Sequence, residues 1–155
     1  MYEGLNDVFA YWSRLRGDRD MPAWSDCDWM ALPPGVIPWC AVVDVRQEPL
    51  DFVYRFWGTA RNAFQGHDYT GWSIADVSPK TVSEKILGEY RMIYEERKPV
   101  YFETVYAEDG VDAPFNYHFL RLPFGPDDGL VTQILGAGLF EEKEIRKVHD
   151  FFDTV

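Results

Sequence analysis

The sequence predicts an α+β fold: a five-stranded antiparallel sheet with helices on one face, flanked by a helix at each end of the chain. Strand-like runs occur in one group of two and one of three, joined by short turns. Such turns connect antiparallel strands, whereas parallel strands need longer crossovers. One long amphipathic segment separates the two groups. The 155 residues are 46% hydrophobic and 17% aromatic, which is enough apolar material for one domain with a core.

The first element is an amphipathic helix. Apolar side chains recur at helical spacing from Leu5 onward, with polar residues on the opposite side, until Gly17 ends the pattern. Residues 18–38 are rich in Pro, Asp and Trp and have no sustained period. We interpret them as a connector in which Asp28 caps one short turn. Helix and connector together form a predicted N-terminal segment, residues 1–38.

Two predicted strands follow, at residues 39–46 and 51–57. In the second strand Phe52, Tyr54 and Phe56 take alternate positions, which predicts that their side chains share one face of the sheet. Beyond this strand, glycines divide the chain into short turns and helices until the long amphipathic segment begins.

The long amphipathic segment is a predicted helix that begins at Ser78-Pro79 and ends before Pro99. The Ser78 hydroxyl is free to cap the helix, and proline suits the first helical position. An apolar stripe runs along one side, and the glutamates, Glu89 among them, are expected to face solvent. We expect the apolar side of this helix to cover the sheet.

Three further strand-like runs occupy residues 100–108, 115–124 and 130–140. The turns between them each contain Asp followed by Gly, a pair that favours tight turns. Residues 141–155 repeat apolar side chains at helical spacing after an acidic first turn, and so predict a terminal helix. The sheet and its covering helices are therefore expected to span residues 39–140.

The formal charge of −11 argues against polyanionic partners. Proteins that bind nucleic acid or anionic lipid use clustered Lys and Arg to neutralise phosphates, and the sequence contains no such cluster. It also contains no run of roughly 18 apolar residues that would predict a membrane span. The two cysteines, Cys27 and Cys40, are interpreted as buried thiols in a reducing compartment. We therefore expect a cytoplasmic protein that binds neither nucleic acid nor membrane.

The sequence lacks the residue patterns of common catalytic and metal sites. The three histidines, His67, His118 and His149, fall in a turn, a strand and a helix, and so do not predict a shared metal site. No serine lies in a GxSxG elbow, and the Gly-Ala-Gly run at residues 136–138 lacks the Lys and Ser or Thr of a phosphate loop. Those glycines are expected to permit close packing. We predict no metal ligands, no catalytic residues and no enzyme activity.

One part of the sequence resembles a family signature. It comprises Tyr54-Arg55-Phe56-Trp57-Gly58-Thr59, followed by Phe64, Gly66, Asp68, Thr70 and Gly71. This run is similar to the signature of PAS-like domains in short bacterial proteins, common in alphaproteobacteria, whose pattern is YR-x-x-GT and then F-G-x-D-x-TG. The resemblance extends over most of residues 10–140. It implies a five-stranded antiparallel sheet packed by short helices and one longer helix.

The residues of this signature are expected to act as scaffold. Gly58 and Gly71 are expected to take positive φ where the chain turns sharply off a strand. Asp68 and Thr70 are expected to bond backbone N–H groups in the turn. The remaining members of the structural motif are Arg55, Thr59 and Gly66.

Aromatic side chains are the candidates for a ligand pocket. Several lie in strands of one sheet, where alternation places some of them on the helix-covered face. Rings with a few polar groups line most small-molecule pockets. A solidly packed core is the other interpretation of the same residues. The pocket candidates are Tyr54, Phe56, Phe64, Phe102, Tyr117 and Phe119.

The resemblance implies a sensory and signalling module that binds a small ligand or a partner protein and acts in trans. The sequence identifies no cofactor. Two alternatives stay open: a small enzyme on a ketosteroid-isomerase-like α+β roll, and a haem-binding PAS sensor that uses His118. The apolar stripes of the two terminal helices also predict a homodimer, because a one-sheet domain with one covered face leaves them without a partner.

Overall fold

The structure, a computed structural model, describes residues 3–106 and 115–139 of the chain. Within these ranges the side chains of residues 3, 63–65, 104–106, 115–117 and 139 are not described. The predicted terminal helix at 141–155 and the predicted turn at 108–110 lie outside the described residues.

The elements follow the predicted order. In chain order they are α1 (Glu3–Arg16), β1 (Cys40–Arg46), β2 (Asp51–Trp57), α2 (Thr59–Gln65), α3 (Lys80–Glu96), β3 (Val100–Tyr106), β4 (Phe115–Phe124) and β5 (Gln133–Leu139). Short 3-10 turns lie at Trp24–Asp26, Trp29–Ala31, Ile37–Trp39 and Ile74–Asp76. The five strands form one sheet in the order β2-β1-β5-β4-β3, with every neighbouring pair antiparallel. The predicted fold class is confirmed.

The start of α3 differs from the prediction. The helix begins at Lys80, and Pro79 occupies the N-cap position with extended backbone and no side-chain cap. The prediction that Pro79 takes the first helical position is therefore wrong, because its ψ of 160° places it outside the helix. At the other end Arg97 takes a left-handed conformation, with φ of 58°, and its N–H donates to the Ile93 carbonyl oxygen at 2.9 Å. The helix thus ends before Pro99, as expected.

α2 and α3 cover one face of the sheet, which we call the inner face. Alternation along the strands places Phe52 and Tyr54 of β2, and Phe119 and Arg121 of β4, on this face. Phe52 packs against Tyr90 of α3 with ring centroids 5.9 Å apart. The apolar side of α3 therefore lies against the sheet, as the sequence predicts.

A β-bulge in β2 changes which aromatic side chains reach the inner face. The β1–β2 register shifts between Tyr54 and Phe56, which leaves Arg55 as the extra residue. Trp57 therefore joins Tyr54 on the inner face, and the two ring centroids lie 4.9 Å apart. The prediction that Phe56 shares a face with Tyr54 is wrong, because strict alternation stops at the bulge.

α1 and the connector cover the opposite face, which we call the outer face and which carries Phe56, Leu122 and Phe124. Trp24 packs edge-on against Phe124, and Trp29 packs against Phe56, each with ring centroids 5.1 Å apart. The connector is therefore part of the core, since its tryptophans cover apolar side chains of the sheet.

The apolar stripe of α1 is buried within the chain itself. Leu5 and Val8 are 0% exposed, and Trp12 is 1% exposed. The Trp12 indole N–H donates a hydrogen bond to the Pro123 carbonyl oxygen at 2.8 Å. The premise that this stripe needs a second chain is wrong, because the outer face of its own sheet buries it. The stripe of the predicted terminal helix lies outside the described residues.

Gly58 is required for a reason other than positive φ. Its φ is −64°, but a Cβ at this position would overlap the carbonyl oxygen of Pro38. Its N–H donates to the Cys40 carbonyl oxygen at 2.8 Å. Gly71 does take a positive φ, of 87°. The prediction for Gly58 is wrong, because close approach of another backbone segment excludes a side chain there.

Candidate functional site

A buried ion pair joins α3 to the inner face. Arg121 donates to Oε2 of Glu89 from Nε at 3.2 Å and from Nη2 at 2.7 Å, and its Nη1 donates to the Tyr90 hydroxyl at 3.0 Å. Arg121 is 2% exposed and Glu89 is 8% exposed. The expectation that Glu89 faces solvent is wrong, because Arg121 neutralises its charge inside the core.

Two glycines of β5 make room for this polar layer. A Cβ at Gly136 would lie 3.0 Å from Nη1 of Arg121 and 3.2 Å from the Tyr90 hydroxyl, and a Cβ at Gly138 would overlap the ring of Phe119. The close packing expected at these glycines is confirmed. Side chains from β4 and α3 therefore approach the backbone of β5 closely at these two positions.

A second buried arginine lies beside the first and has no acidic partner among the described side chains. Arg61, in the first turn of α2, is 6% exposed. Its guanidinium carbon lies 4.5 Å from the ring centroid of Trp57 and 5.2 Å from that of Phe119. The Phe119 ring also lies 5.0 Å from the guanidinium carbon of Arg121. Arg61 forms no ion pair with any residue that the structure describes, and its buried Nε has no acceptor there.

No carboxylate among the described residues balances the buried charge of Arg61. Burial lowers the pKa of its guanidinium, and the nearby Arg121 charge acts in the same direction, yet an arginine remains protonated in proteins. Stacking on an aromatic ring returns about 0.5–2 kcal/mol for each contact. Burying an unpaired ion costs several kcal/mol. Within the described part of the chain, the positive charge of Arg61 is therefore in contact with aromatic rings and with no carboxylate.

Aromatic rings surround the two arginines. Trp57 contacts Tyr54 and Tyr69, with ring centroids 4.9 Å and 5.1 Å apart. Burial raises the pKa of the Tyr54 hydroxyl, so this group stays neutral. The indole N–H of Trp57 is buried and finds no acceptor among the described side chains and backbone. Trp57 and Arg61 are in contact, and each carries a buried donor that is not satisfied.

A family model described as PAS domain matches residues 2–139 of this chain. The chain belongs to the PAS domain family. The resemblance seen in the sequence is therefore confirmed at the level of the family. A solved structure with the same fold is the PAS domain from Bordetella pertussis BvgS, which is 16% identical. The match covers 97% of this chain and 99% of that chain, with a TM-score of 0.51.

Two other solved structures similar to this PAS domain are a sensory box sensor histidine kinase from Vibrio cholerae and the Rhodobacter sphaeroides LOV protein. The first is 13% identical, with coverage of 64% of this chain and 79% of that chain and a TM-score of 0.47. The second is 12% identical, with coverage of 67% and 59% and a TM-score of 0.49. At such identities the similarity concerns the fold alone. No curated protein matches the sequence.

The predicted pocket residues of this PAS domain do not all lie together. On the inner face lie Tyr54, Phe102 and Phe119. Phe56 lies on the outer face against Trp29. The side chains of Phe64 and Tyr117 are among those that the structure does not describe. The inner-face members are therefore the ones that contribute to the layer around the arginines.

His118, the candidate haem ligand, lies on the outer face. It precedes Phe119 in β4, so its side chain projects to the opposite side of the sheet. Its Nδ1 lies 2.6 Å from the Tyr101 hydroxyl, and the two rings stack with centroids 6.0 Å apart. This local hydrogen bond occupies Nδ1 on the side of the sheet away from the arginines.

The signature residues hold the chain around β2 and α2. Oδ1 of Asp68 accepts hydrogen bonds from the Thr70 backbone N–H at 2.9 Å and from the Thr70 hydroxyl at 2.6 Å. Gly66 ends α2 with a φ of 69°. Arg55 pairs with Asp44 of β1 at 3.1 Å. These contacts are internal to the scaffold of the PAS domain.

Sequence reasoning missed two functional candidates, Arg61 and Glu89. An arginine in a short helix and a glutamate in a long amphipathic helix are usually solvated. Glu89 did carry a local signal, because it lies three residues after Ile86 and four before Ile93, on the apolar stripe of the helix. Arg121 did carry a signal, because it follows Leu120 and precedes Leu122 in a strand with apolar residues on both faces. A charge in such a strand predicts a buried partner.

A cationic surface cavity of about 230 Å³ lies where the end of α1 approaches the end of α3. It is lined by Arg16, Arg19, Asp20, Glu96, Arg97, Lys98 and Pro99. Asp20 accepts a hydrogen bond from Nη1 of Arg97 at 3.1 Å. This pair links the connector that follows α1 to the C-terminal end of α3. Among the described residues, no helix combines the length and apolar character that crossing a membrane requires.

Proposed function

We propose that this PAS domain is a sensory module that binds a small ligand between the inner face and helices α2 and α3, and that it signals to a separate protein. The supporting observation is the buried charge of Arg61, which no acidic side chain within the described ranges balances. A core that only had to be packed would gain stability from an apolar side chain at this position. A buried cation retained despite that cost is typical of a binding site.

A bound ligand would alter the packing of α2 and α3 on the sheet. Arg61 belongs to α2 and stacks on Phe119 of β4, and Arg121 contacts the same ring. Arg121 in turn bonds Glu89 of α3. A ligand that engages Arg61 more strongly in one arrangement of these side chains increases the population of that arrangement. The proposed signal needs no covalent chemistry, and we propose no enzyme activity.

Native mass spectrometry of the purified full chain tests this proposal. We expect an adduct of small mass that dissociates when the protein is denatured. The control is the same chain after unfolding and refolding in ligand-free buffer, which should lose the adduct and regain it from a protein-free cell extract. If the native chain carries no adduct and the extract restores none, the ligand-binding function is wrong.

The proposed module acts in the cytoplasm and forms a homodimer. Cys27 and Cys40 are free thiols, which suits a reducing compartment. Because the outer face buries the stripe of α1, a dimer would depend on other surfaces, such as the predicted helix at 141–155. Light scattering of the full chain over a wide range of concentrations measures its mass. A monomer at every concentration would exclude the homodimer.

The two alternative functions lack a supporting observation of their own. The ketosteroid-isomerase-like roll is not the fold of this chain, since the family match is that of a PAS domain. For haem, the candidate ligand His118 projects from the outer face, away from the inner-face layer proposed to bind the ligand. An absorption spectrum of the purified chain, with or without added haem, distinguishes a haem sensor from the proposed module.

A further inference from the structure

Resting on the proposed function, we infer that the ligand is a monocarboxylate with an apolar body, and that Arg61 and Trp57 bind its carboxylate group. The number of unbalanced charges, the unsatisfied donors and the rings around them each restrict the chemistry of the ligand.

The charge of the site sets the charge of the ligand. Two guanidinium groups lie in the layer, and the Glu89 carboxylate balances that of Arg121 through an ion pair of 2.7 Å. Arg61 is left with one positive charge that no described side chain balances. One carboxylate neutralises it. A dicarboxylate or a phosphate dianion would place a surplus negative charge in the interior, at a cost of several kcal/mol in general.

The unsatisfied donors select an acceptor-only group. Nε of Arg61 and Nε1 of Trp57 are both buried and without an acceptor within the described part of the chain. Their side chains are in contact, since the guanidinium carbon lies 4.5 Å from the ring centroid. A carboxylate offers two oxygens that only accept, and its bonds to a guanidinium are charge-assisted. A primary amide has one acceptor and brings two further donors to a site that already has an excess of donors.

The surroundings of the two donors restrict the rest of the ligand. Trp57 packs against Tyr54 and Tyr69, which are 2% and 6% exposed, and Phe119 lies on the other side of Arg61 at 7% exposed. Aromatic surface of this kind binds apolar or aromatic groups. A heavily hydroxylated body would need further polar partners. An aromatic or aliphatic acid therefore fits the site.

The stability of the ligand-free protein distinguishes a structural role of Arg61 from a role in ligand binding, because the two roles predict different effects of removing its charge. If stacking on Trp57 and Phe119 is its purpose, the substitution Arg61→Met lowers the Tm. If the charge is kept for a ligand, the ligand-free variant unfolds at the same or a higher Tm, because an unbalanced buried charge has been removed. The Tm of ligand-free Arg61→Met is therefore a test that does not depend on the choice of ligand.

The binding test uses isothermal titration of the full chain with benzoate, phenylacetate and hexanoate. Benzamide and succinate are the comparison compounds, one neutral and one with a second carboxylate. The variants are Arg61→Met, Trp57→Phe and the control Arg91→Met, which removes the same charge from the exposed side of α3. We expect at least one monocarboxylate to bind wild type and Arg91→Met equally, and to bind more tightly than benzamide or succinate. Affinity should fall about 10- to 100-fold in Arg61→Met and about 2- to 10-fold in Trp57→Phe.

Several outcomes would overturn the inference. They are equal affinity of Arg61→Met and wild type for the acid, tighter binding of benzamide than of benzoate, and failure of every acid in the panel to bind. If native mass spectrometry still shows a small-mass adduct, only the inference about the carboxylate is wrong and the proposed ligand-binding function remains. If it shows no adduct, the proposed function is wrong as well. A lower Tm of ligand-free Arg61→Met together with no binding assigns Arg61 to the scaffold.

Discussion

The two faces of the sheet are both covered and both rich in aromatic side chains, but they differ in their polar content. On the outer face, Trp24 and Trp29 pack against Phe124 and Phe56, and the one polar atom of Trp12 is bonded to a backbone carbonyl. On the inner face, rings surround two arginines, and of these only Arg121 has an acidic partner in the described ranges. The outer face is built as an ordinary core.

The inner face includes groups that lower stability unless something else binds them. Buried donors without acceptors and a buried charge without a counter-ion are rare in cores, because each costs free energy. Arg16 of α1 also has a buried Nε without an acceptor, but among the described residues only the inner face combines such donors with a buried charge that lacks a counter-ion. This combination separates the part of the PAS domain that holds the fold from the part proposed to bind. Substitutions on the two faces should therefore have different consequences.

The largest expected effect is on the outer face. Phe124 is 1% exposed, and the substitution Phe124→Ala should lower the free energy of unfolding by about 3–5 kcal/mol, because it leaves a cavity beneath Trp24. Urea denaturation measures the change. Phe9→Ala is the control, since Phe9 is 37% exposed, and should cost much less. A loss below about 1 kcal/mol at Phe124 would contradict the outer face as the main core.

The next effect is on the inner face, at the paired arginine. Glu89→Gln removes the charge that balances Arg121 but keeps one acceptor oxygen, so the free energy of unfolding should fall by about 1.5–3 kcal/mol. Glu84→Gln is the matched control, because Glu84 lies on the exposed side of the same helix. Both variants are compared by urea denaturation. Equal stability of the two variants would show that the Arg121–Glu89 pair contributes nothing.

The next prediction concerns how the free energy of unfolding changes at alkaline pH, where the buried Cys40 thiol of β1 titrates. Burial raises the pKa of the Cys40 thiol from 9.0 to about 12. The folded chain therefore keeps a proton that the unfolded chain loses, so this contribution to stability is complete below pH 9 and declines between pH 9 and pH 12. The decline should be about 1.4 kcal/mol per pH unit.

Urea midpoints measured at several pH values above neutrality test this slope. Cys40→Ala should show a shallower decline than wild type, whatever its stability at neutral pH. The Tyr54 hydroxyl, whose pKa burial also raises, is expected to account for a remaining decline at the highest pH. The same slope in both proteins would mean that the Cys40 thiol is accessible to solvent in the folded state.

The smallest effect is expected at the link between the connector and the C-terminal end of α3. Asp20→Asn breaks the ion pair between Asp20 and Arg97. The Asp20 side chain is 51% exposed and the Arg97 side chain is 28% exposed. Because solvent screens such a pair, the free energy of unfolding should change by less than about 1 kcal/mol, and the change should vanish in high salt. Thermal unfolding at low and high salt measures it. A large loss that persists in high salt would show that this link contributes to the core.

Much of the fold was predictable because helices and strands leave local patterns. The period of apolar residues predicted α1 and α3, and the turns rich in Asp and Gly predicted the antiparallel order. Gly58 and Phe56 were predicted wrongly for a shared reason. The approach of the Pro38 carbonyl to Gly58 and the bulge beside Phe56 both arise from contacts with other segments of the chain.

The candidate site was less predictable than the fold. Tyr54, Phe102 and Phe119 were identified as aromatic strand residues, but the charges among them were not. Glu89 lies at the spacing of the apolar stripe of α3, between Ile86 and Ile93, but only the position of β4 brings Arg121 within 2.7 Å of it. Helical period specifies a face, whereas burial of a charge depends on what that face meets.

The sequence by itself determined that this chain folds as an α+β domain with five antiparallel strands, and its signature placed that domain in a family. Local propensity and periodicity are sufficient for this, since they act between residues close in the chain. Only the tertiary structure decided that α1 covers the outer face, that Glu89 balances Arg121 and that Arg61 is buried with no acid beside it among the residues the structure describes. Each of these depends on distant segments meeting, and a buried charge is recognised as unbalanced only when all of its neighbours are known.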